Sequence, residues 1–202
     1  MRSPYRAGFS LIEVLVVVAV ATTIVFVVSG LSSNINLLNG FVSQQLQSKS
    51  DITQTLQIMT TEIRSAETSA NGSYPLDVAA TSTFSFYSDI NKNGSAEHVR
   101  YFLSSSTIYK GVIAPTGTPA NYPTATEVVT DVVDNIILTT STPLFQYYDT
   151  LYSGTQQPLS YPITIANIRL VGINFAADVK PQQAPGPQYF SQLIEIRNLR
   201  SN

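Results

Sequence analysis

A glutamate inside an otherwise apolar run is the first residue in this chain that demands a chemical reason. Between Phe9 and Val28 the only formal charge is Glu13, five positions into the run that follows Gly8. A carboxylate inside a membrane-length apolar span costs about 2.5–3.5 kcal/mol near mid-membrane and less near an end, so a chain that keeps one there has a use for it. A second candidate lies at Asp89, Asn91, Asn93 and Gly94, which have the one–three–five–six spacing of a calcium loop. Its ninth position is Glu97, and its twelfth is Arg100 where an EF-hand has glutamate. Two readings stay open. Asp89, Asn91, Asn93 and Glu97 would hold Ca²⁺ weakly, since only two carboxylates contribute, or Asn93-Gly94 forms a hairpin turn and no metal is needed.

Catalysis finds little to work with. His98 is the only histidine and cysteine is absent, so no metal cluster or thiol nucleophile can be assembled. Serines and aspartates are plentiful, yet nothing singles out one of each as partners for His98, which reads as a structural histidine on a strand. The chain is expected not to be an enzyme and to need no cofactor beyond the weak calcium. Phe84, Phe86, Tyr101, Phe145, Tyr147 and Tyr148 alternate along apparent strands and read as core and sheet face, not as a sugar-stacking surface.

Glu13 needs an element to carry it, and the run is long enough to be a helix across a bilayer. Arg2 and Arg6 in the short leader place that leader on the cytoplasmic side. Three other readings compete. Ala19-Val20-Ala21 fits an A-x-A secretory cleavage site, but Glu13 interrupts the apolar region and the run continues past Ala21 to Val28. A plain signal anchor would treat Glu13 as a tolerated charge near a membrane end. A buried core helix fits poorly with so few polar groups.

Composition narrows the rest. In 202 residues there is room for one soluble domain beside the span. Loss of the leader would lower 11 basic residues to 9 against 13 acidic ones, leaving no basic run and no footprint for nucleic acid. Charged residues make up 12% of the chain, about half the usual share.

Past the apolar run, Leu31, Ile35, Leu38, Val42, Leu46, Ile52, Leu56, Met59 and Ile63 recur mostly at three- and four-residue steps, with Gln44, Gln45, Gln47, Lys49, Asp51 and Glu62 on other faces. The spacing predicts one helix from about Phe9 to about Glu67, ending before Asn71-Gly72 and Pro75, with an apolar stripe for a sheet. Gly30 and Gly40 are its weak points, each costing about 1 kcal/mol against alanine. The period then changes to two. Thr83–Ser88, Glu97–Leu103, Thr107–Ile113, Leu144–Tyr148, Arg169–Ala177 and Tyr189–Arg197 read as strands, with loops at Ala114–Pro123 and Pro181–Pro187. Glu127–Leu138 fits either period.

Gly8, Phe9 and Glu13, behind a basic leader and ahead of the apolar run, resemble the type IV prepilin signal. That resemblance implies a membrane peptidase that cuts after Gly8 and methylates the new N-terminal Phe9, and a role for Glu13 in filament assembly. It implies that Glu13 of one subunit meets the Phe9 amine of another, fixing its register. Many pilins have a helix-breaking proline where this chain has Gly30. Further along, F-S-F-Y-S-D-I-N-K-N-G-S-A-E-H-V-R-Y-F-L, I-Y-K, F-Q-Y-Y-D, I-R-L-V-G-I-N-F and I-E-I-R-N-L-R are similar to the larger minor pseudopilins of the J-type or W-type branch.

The fold expected is α+β, a long N-terminal helix packed on a mainly antiparallel sheet. Residues 1–8 would be the cleaved leader, 9–30 the transmembrane and filament-core helix, and 31–202 the globular domain. The function implied is a minor type IV pilin or pseudopilin of a pilus, secretion or DNA-uptake machine. Its partners would be major and minor pilins, the prepilin peptidase, the inner-membrane assembly platform and, before assembly, membrane lipid. The globular domain would lie outside the cytoplasm, in the membrane first and in a filament or at the cell surface later. The rival reading is a membrane-anchored binding module or enzyme unrelated to filaments.

Overall fold

The computed structural model describes residues 10–138, 142–178 and 186–199, and within its helix the side chains of residues 31–41, 44 and 45 are outside the description. The leader, Gly8, Phe9 and most of the Pro181–Pro187 loop therefore fall outside the described residues. The chain divides into two compact units, Met1–Ser48 and Lys49–Asn202.

The first unit contains a single element, the N-terminal part of helix α1, Leu11–Arg64. Residues Leu11–Gly30 form a 20-residue apolar stretch, and none of it is buried within the chain. The helix passes through Gly30 and Gly40 without interruption, although each costs about 1 kcal/mol against alanine. Val42 and Leu46, expected on the core stripe, are exposed. They belong to the first unit, where the helix is the only element among the described residues.

The second unit is the α+β domain. The last turns of α1 bury Ile52, Leu56, Met59 and Ile63 at steps of four, three and four, one stripe of the helix. The helix stops at Arg64, three residues short of the expected end, and the Glu67 N–H bonds instead to the Tyr87 carbonyl at 2.8 Å. Competition from the sheet thus sets the helix end.

Strands β1 (Leu76–Ala79), β2 (Thr83–Ser88), β3 (Glu97–Ser104), β4 (Thr107–Ile113) and β5 (Val128–Val133) form an antiparallel meander in sequence order. A second sheet places β8 (Leu170–Ala177) at its centre. Its two ends pair on one side with β7 (Phe145–Tyr148) and β6 (Ile136–Ile137), and its other side pairs with β9 (Gln188–Glu195). The six strands expected from period two are all present within two residues of their expected bounds. The ambiguous Glu127–Leu138 segment resolves as β5 and β6, separated at Asn135, whose φ of 56° breaks the extended run. β1 was not expected, because Leu76-Asp-Val-Ala is too short and too mixed to signal a strand.

Period two then sorts the side chains. Phe84, Phe86, Val99 and Tyr101 line the inner face of the first sheet, and Phe145, Tyr147, Val171, Ile173 and Ile194 join them from the second. Phe84 contacts Phe145 and Tyr147 at ring separations of 5.9 and 5.7 Å, so one aromatic cluster ties the two sheets together. Tyr148 takes the sheet-face place: it is half-buried and packs on Tyr152. Far along the chain, the Asn198 side-chain amide donates to the Ala66 carbonyl at 2.9 Å, 132 residues away.

Candidate functional site

The apolar helix begins with a local device that the sequence analysis missed. Ser10 Oγ accepts the Ile12 N–H at 3.3 Å, and the Ser10 carbonyl accepts the Glu13 and Val14 N–H groups at 3.0 and 3.2 Å. Ser10 is thus the N-cap, and Glu13 sits in the first helical turn, where a negative charge complements the helix dipole. The signal was present in Ser10-Leu-Ile-Glu13, the S-x-x-E spacing of a capping box. Within the span, Thr22 and Thr23 return their hydroxyls to the carbonyls of Val18 and Ala19 at 2.8–2.9 Å. Their polar groups are satisfied without water, as a lipid or filament core requires. Glu13 is exposed and stands among exposed apolar side chains such as Leu11, Ile12 and Val14.

The Asp89 loop lies on the second unit and is a self-bonded turn. The Asp89 carboxylate accepts the Asn93 N–H at 3.0 Å and the Gly94 N–H at 2.7 Å, while the Asn91 and Asn93 side-chain oxygens cap the N–H groups two residues on. Lys92 and Gly94 take φ of 59° and 86°. The β2–β3 connection is accordingly an eight-residue loop, wider than a two-residue Asn93-Gly94 hairpin, because Asp89 organises it from one end. Glu97 is 2% exposed and accepts from the Ile90 N–H at 3.0 Å and the Asn91 amide at 2.5 Å. Both of those donors are neutral. Arg100, at the twelfth position of the calcium pattern, turns to the opposite face of the sheet and grips Glu127 through two bonds of 3.0 and 2.8 Å. Asp89, Asn91, Asn93 and Glu97 are therefore gathered in one loop, and their oxygens are the hard donors calcium prefers. Among the described residues no group of three or more histidine, cysteine or carboxylate side chains is placed to hold a metal.

His98 lies on the outer face of the first sheet. Its Nε2 is 3.0 Å from Asp77 Oδ2, and its ring packs on Tyr87 and Tyr122. Ser85 donates to that same Asp77 oxygen at 3.2 Å. The order is serine–aspartate–histidine, with the carboxylate in the middle, so the histidine cannot take a proton from this serine as a triad base does.

A charged cluster beside the apolar stripe turns inward. Glu62 of α1 accepts the Tyr101 hydroxyl at 2.6 Å and the Lys110 ammonium at 2.5 Å, with the Lys110 and Glu62 side chains only 17% and 14% exposed. Burial, then the Glu62 charge, holds the Tyr101 phenol well above its ordinary range. This cluster clasps helix to sheet within the second unit. Tyr147, buried with its hydroxyl on the Ala80 carbonyl at 2.9 Å, is likewise pushed up by burial.

The N-terminal span carries the signal that comparison with known proteins recognises. Residues 3–29 match the prokaryotic N-terminal methylation motif. The match gives the chain a type IV pilin-like N-terminus. The matched stretch contains Gly8, Phe9 and Glu13 and ends one residue before Gly30. No curated protein matches the chain. Motif and apolar helix together mark a membrane anchor, processing by a prepilin peptidase and assembly with other pilins in general terms.

Proposed function

We propose that this chain is a minor type IV pilin or pseudopilin, a structural subunit built into, or priming, a pilus or pseudopilus filament. The observation that carries the reading is a methylation motif on a 20-residue apolar helix, none of whose residues is buried within the chain. Such a surface needs lipid first and other helices later. In this reading the peptidase cuts after Gly8 on the cytoplasmic side and methylates Phe9. Glu13 of one subunit then pairs with the Phe9 ammonium of its neighbour, so that neither charge stays alone in an apolar bundle. The globular unit lies outside the cytoplasm and performs no catalysis. An intact Glu13 argues for a position with a neighbour ahead of it, not the first subunit of a tip. The V-R-Y-F-L run in β3 and the R-N-L run, a 3-10 turn just past β9, support the J-type or W-type branch, whose larger members work with other minor pilins and the assembly platform.

Calcium has an accessory place in this proposal. Glu97 is a nearly buried carboxylate with neutral donors, and Ca²⁺ at Asp89, Asn91, Asn93 and Glu97 would offset its charge. With two carboxylates the site would be weak.

The deciding experiment is N-terminal mass spectrometry of the protein from membrane and filament fractions. A chain starting at N-methylated Phe9 is expected, and Gly8→Leu is expected to leave uncut precursor. A chain starting at Thr22 would point to secretory cleavage and overturn the proposal.

A further inference from the structure

The second sheet has one edge that natural proteins rarely leave undefended. β9 is eight residues long, and its register against β8 is unbroken from Gln188 to Glu195. It has no lysine or proline, and its one charge is Glu195 at the far end. The other sheet edges are guarded. β1 is four residues with an irregular register, β5 carries Asp131 and a register shift, and β6 and β7 span only two and four residues. Short length, bulges and charges are the usual protections against a foreign strand, and β9 has none of them along Tyr189–Leu193.

The backbone of β9 points the right way. On β8 the Asn174 N–H bonds toward β7, to the Leu144 carbonyl at 2.9 Å, so the odd-numbered β8 residues face β9. Their register partners are the even-numbered residues of β9, as the 3.0 Å bond from Ile196 N–H to Arg169 continues. Tyr189, Ser191 and Leu193 therefore turn their N–H groups to the open side, where β9 has no strand partner among the described residues. The Leu193 carbonyl accepts a 3.3 Å bond from the Gln192 amide. Along this stretch runs a groove of about 590 Å³ between Tyr189–Gln192 and the helix residues Thr53, Gln57 and Thr60, and the described residues lining it are all uncharged. Four residues of strand span about 13 Å at ~3.3 Å each, enough for a short ladder.

We propose that the β9 edge and its groove take an extended, uncharged segment of a neighbouring subunit, which adds as a further strand to the second sheet. A backbone edge is matched by another backbone, and neutral walls favour a segment without charge. This deepens the proposed filament role and rests on it.

The absence of cysteine makes the test clean, since a single introduced thiol reports alone. Full-length Thr60→Cys protein is labelled with a maleimide in cells that cannot assemble filaments and again in the assembled fraction. Labelling is expected to slow at least about tenfold on assembly, the protection given by a groove closed more than nine-tenths of the time. Adding Ser191→Pro removes one N–H of the open edge and leaves the β8–β9 ladder bonds in place. It is expected to abolish the protection, while Ser191→Ala, which loses only the hydroxyl bonded to Asn174 Oδ1, keeps it. Unchanged melting of both variants shows that the domain still folds. Equal labelling before and after assembly overturns the strand addition alone, as does protection that survives Ser191→Pro. Thr60→Cys protein that never leaves the membrane fraction, when cysteine-free protein does, shows that this wall is crowded by assembly and supports the contact. Cysteine-free protein that never leaves it overturns the filament reading, and the neighbouring subunit with it.

Discussion

Phe26 and Phe84 are the same residue type under opposite rules: the first is 83% exposed and the second 0% exposed. The contrast extends to their surroundings. From Leu11 to Gly30 the valines, leucines and isoleucines cover every side of the helix, and none finds a partner in the chain. From Ile52 onward they occupy one stripe, and the sheets cover it. Hydrophobicity alone does not say where a residue ends up; its period does. A helix apolar all round asks for surroundings supplied from outside, and a helix with one apolar stripe is completed by its own chain. The two units should therefore fail separately.

The largest separation is expected at Glu13. Glu13→Val should leave membrane insertion intact or improved and the melting of the globular unit unchanged. Entry into filaments should fail, because a neighbour's Phe9 ammonium left unpaired in an apolar bundle costs about 3–5 kcal/mol. The measurement is the ratio of Glu13→Val protein in sheared filaments to that in membranes. Normal incorporation would refute the pairing in this protein, and it is also the result expected of a subunit at the very tip.

The converse comes from the core. Met59 is completely buried on the helix stripe, so Met59→Ala should destabilise the globular unit by about 2–5 kcal/mol. Val17→Ala, on the exposed span, should not shift denaturant unfolding of that unit at all. A comparable loss from both would mean that the units do not melt independently.

A smaller effect is expected from alkali. The Tyr101 phenol is raised by burial and by Glu62, so its stabilising contribution is complete below the unfolded value of about 10 and declines as pH rises beyond it. Glu62→Gln removes the charge and should lessen that decline, although it also costs stability at neutral pH by leaving Lys110 without its carboxylate. Melting curves from pH 8 to 11 would show both changes, and identical alkaline slopes would exclude the Glu62 charge as a contributor beside burial.

Calcium should move stability least. Millimolar Ca²⁺ is expected to raise the melting temperature of the full-length protein in detergent slightly, and Asp89→Ala to abolish the rise. Sub-micromolar affinity would contradict the weak site read from two carboxylates.

The parts legible from sequence were those with a strong period or a rare residue. Aromatic and branched alternation gave β2, β3, β4 and β8 nearly to the residue, and Glu13 stood out because charge is rare in such a run. Glu62 was readable only as a residue off the apolar stripe; the fold alone brings Tyr101 and Lys110 to it, 39 and 48 positions away. Asp77 and His98 escaped for the same reason, since 21 residues separate them. The open edge of β9 could not be read at all. Whether a strand is central or marginal depends on pairing order, and no local pattern in Gln188–Glu195 records it.

The bond from Asn198 to Ala66 also has a meaning in time. Ribosomes emit chain from the N-terminus, and 132 residues at about 5–20 residues per second take roughly 7–26 s. Ile63 and Ala66 must wait through that interval, because Ile194, Ile196 and Leu199, which help close the core around them, emerge only at its end. The anchor is made first and the domain it carries is closed last. An interruption shortly before Ile194 would thus deliver a tethered but unfinished domain to the membrane, with its apolar stripe still uncovered.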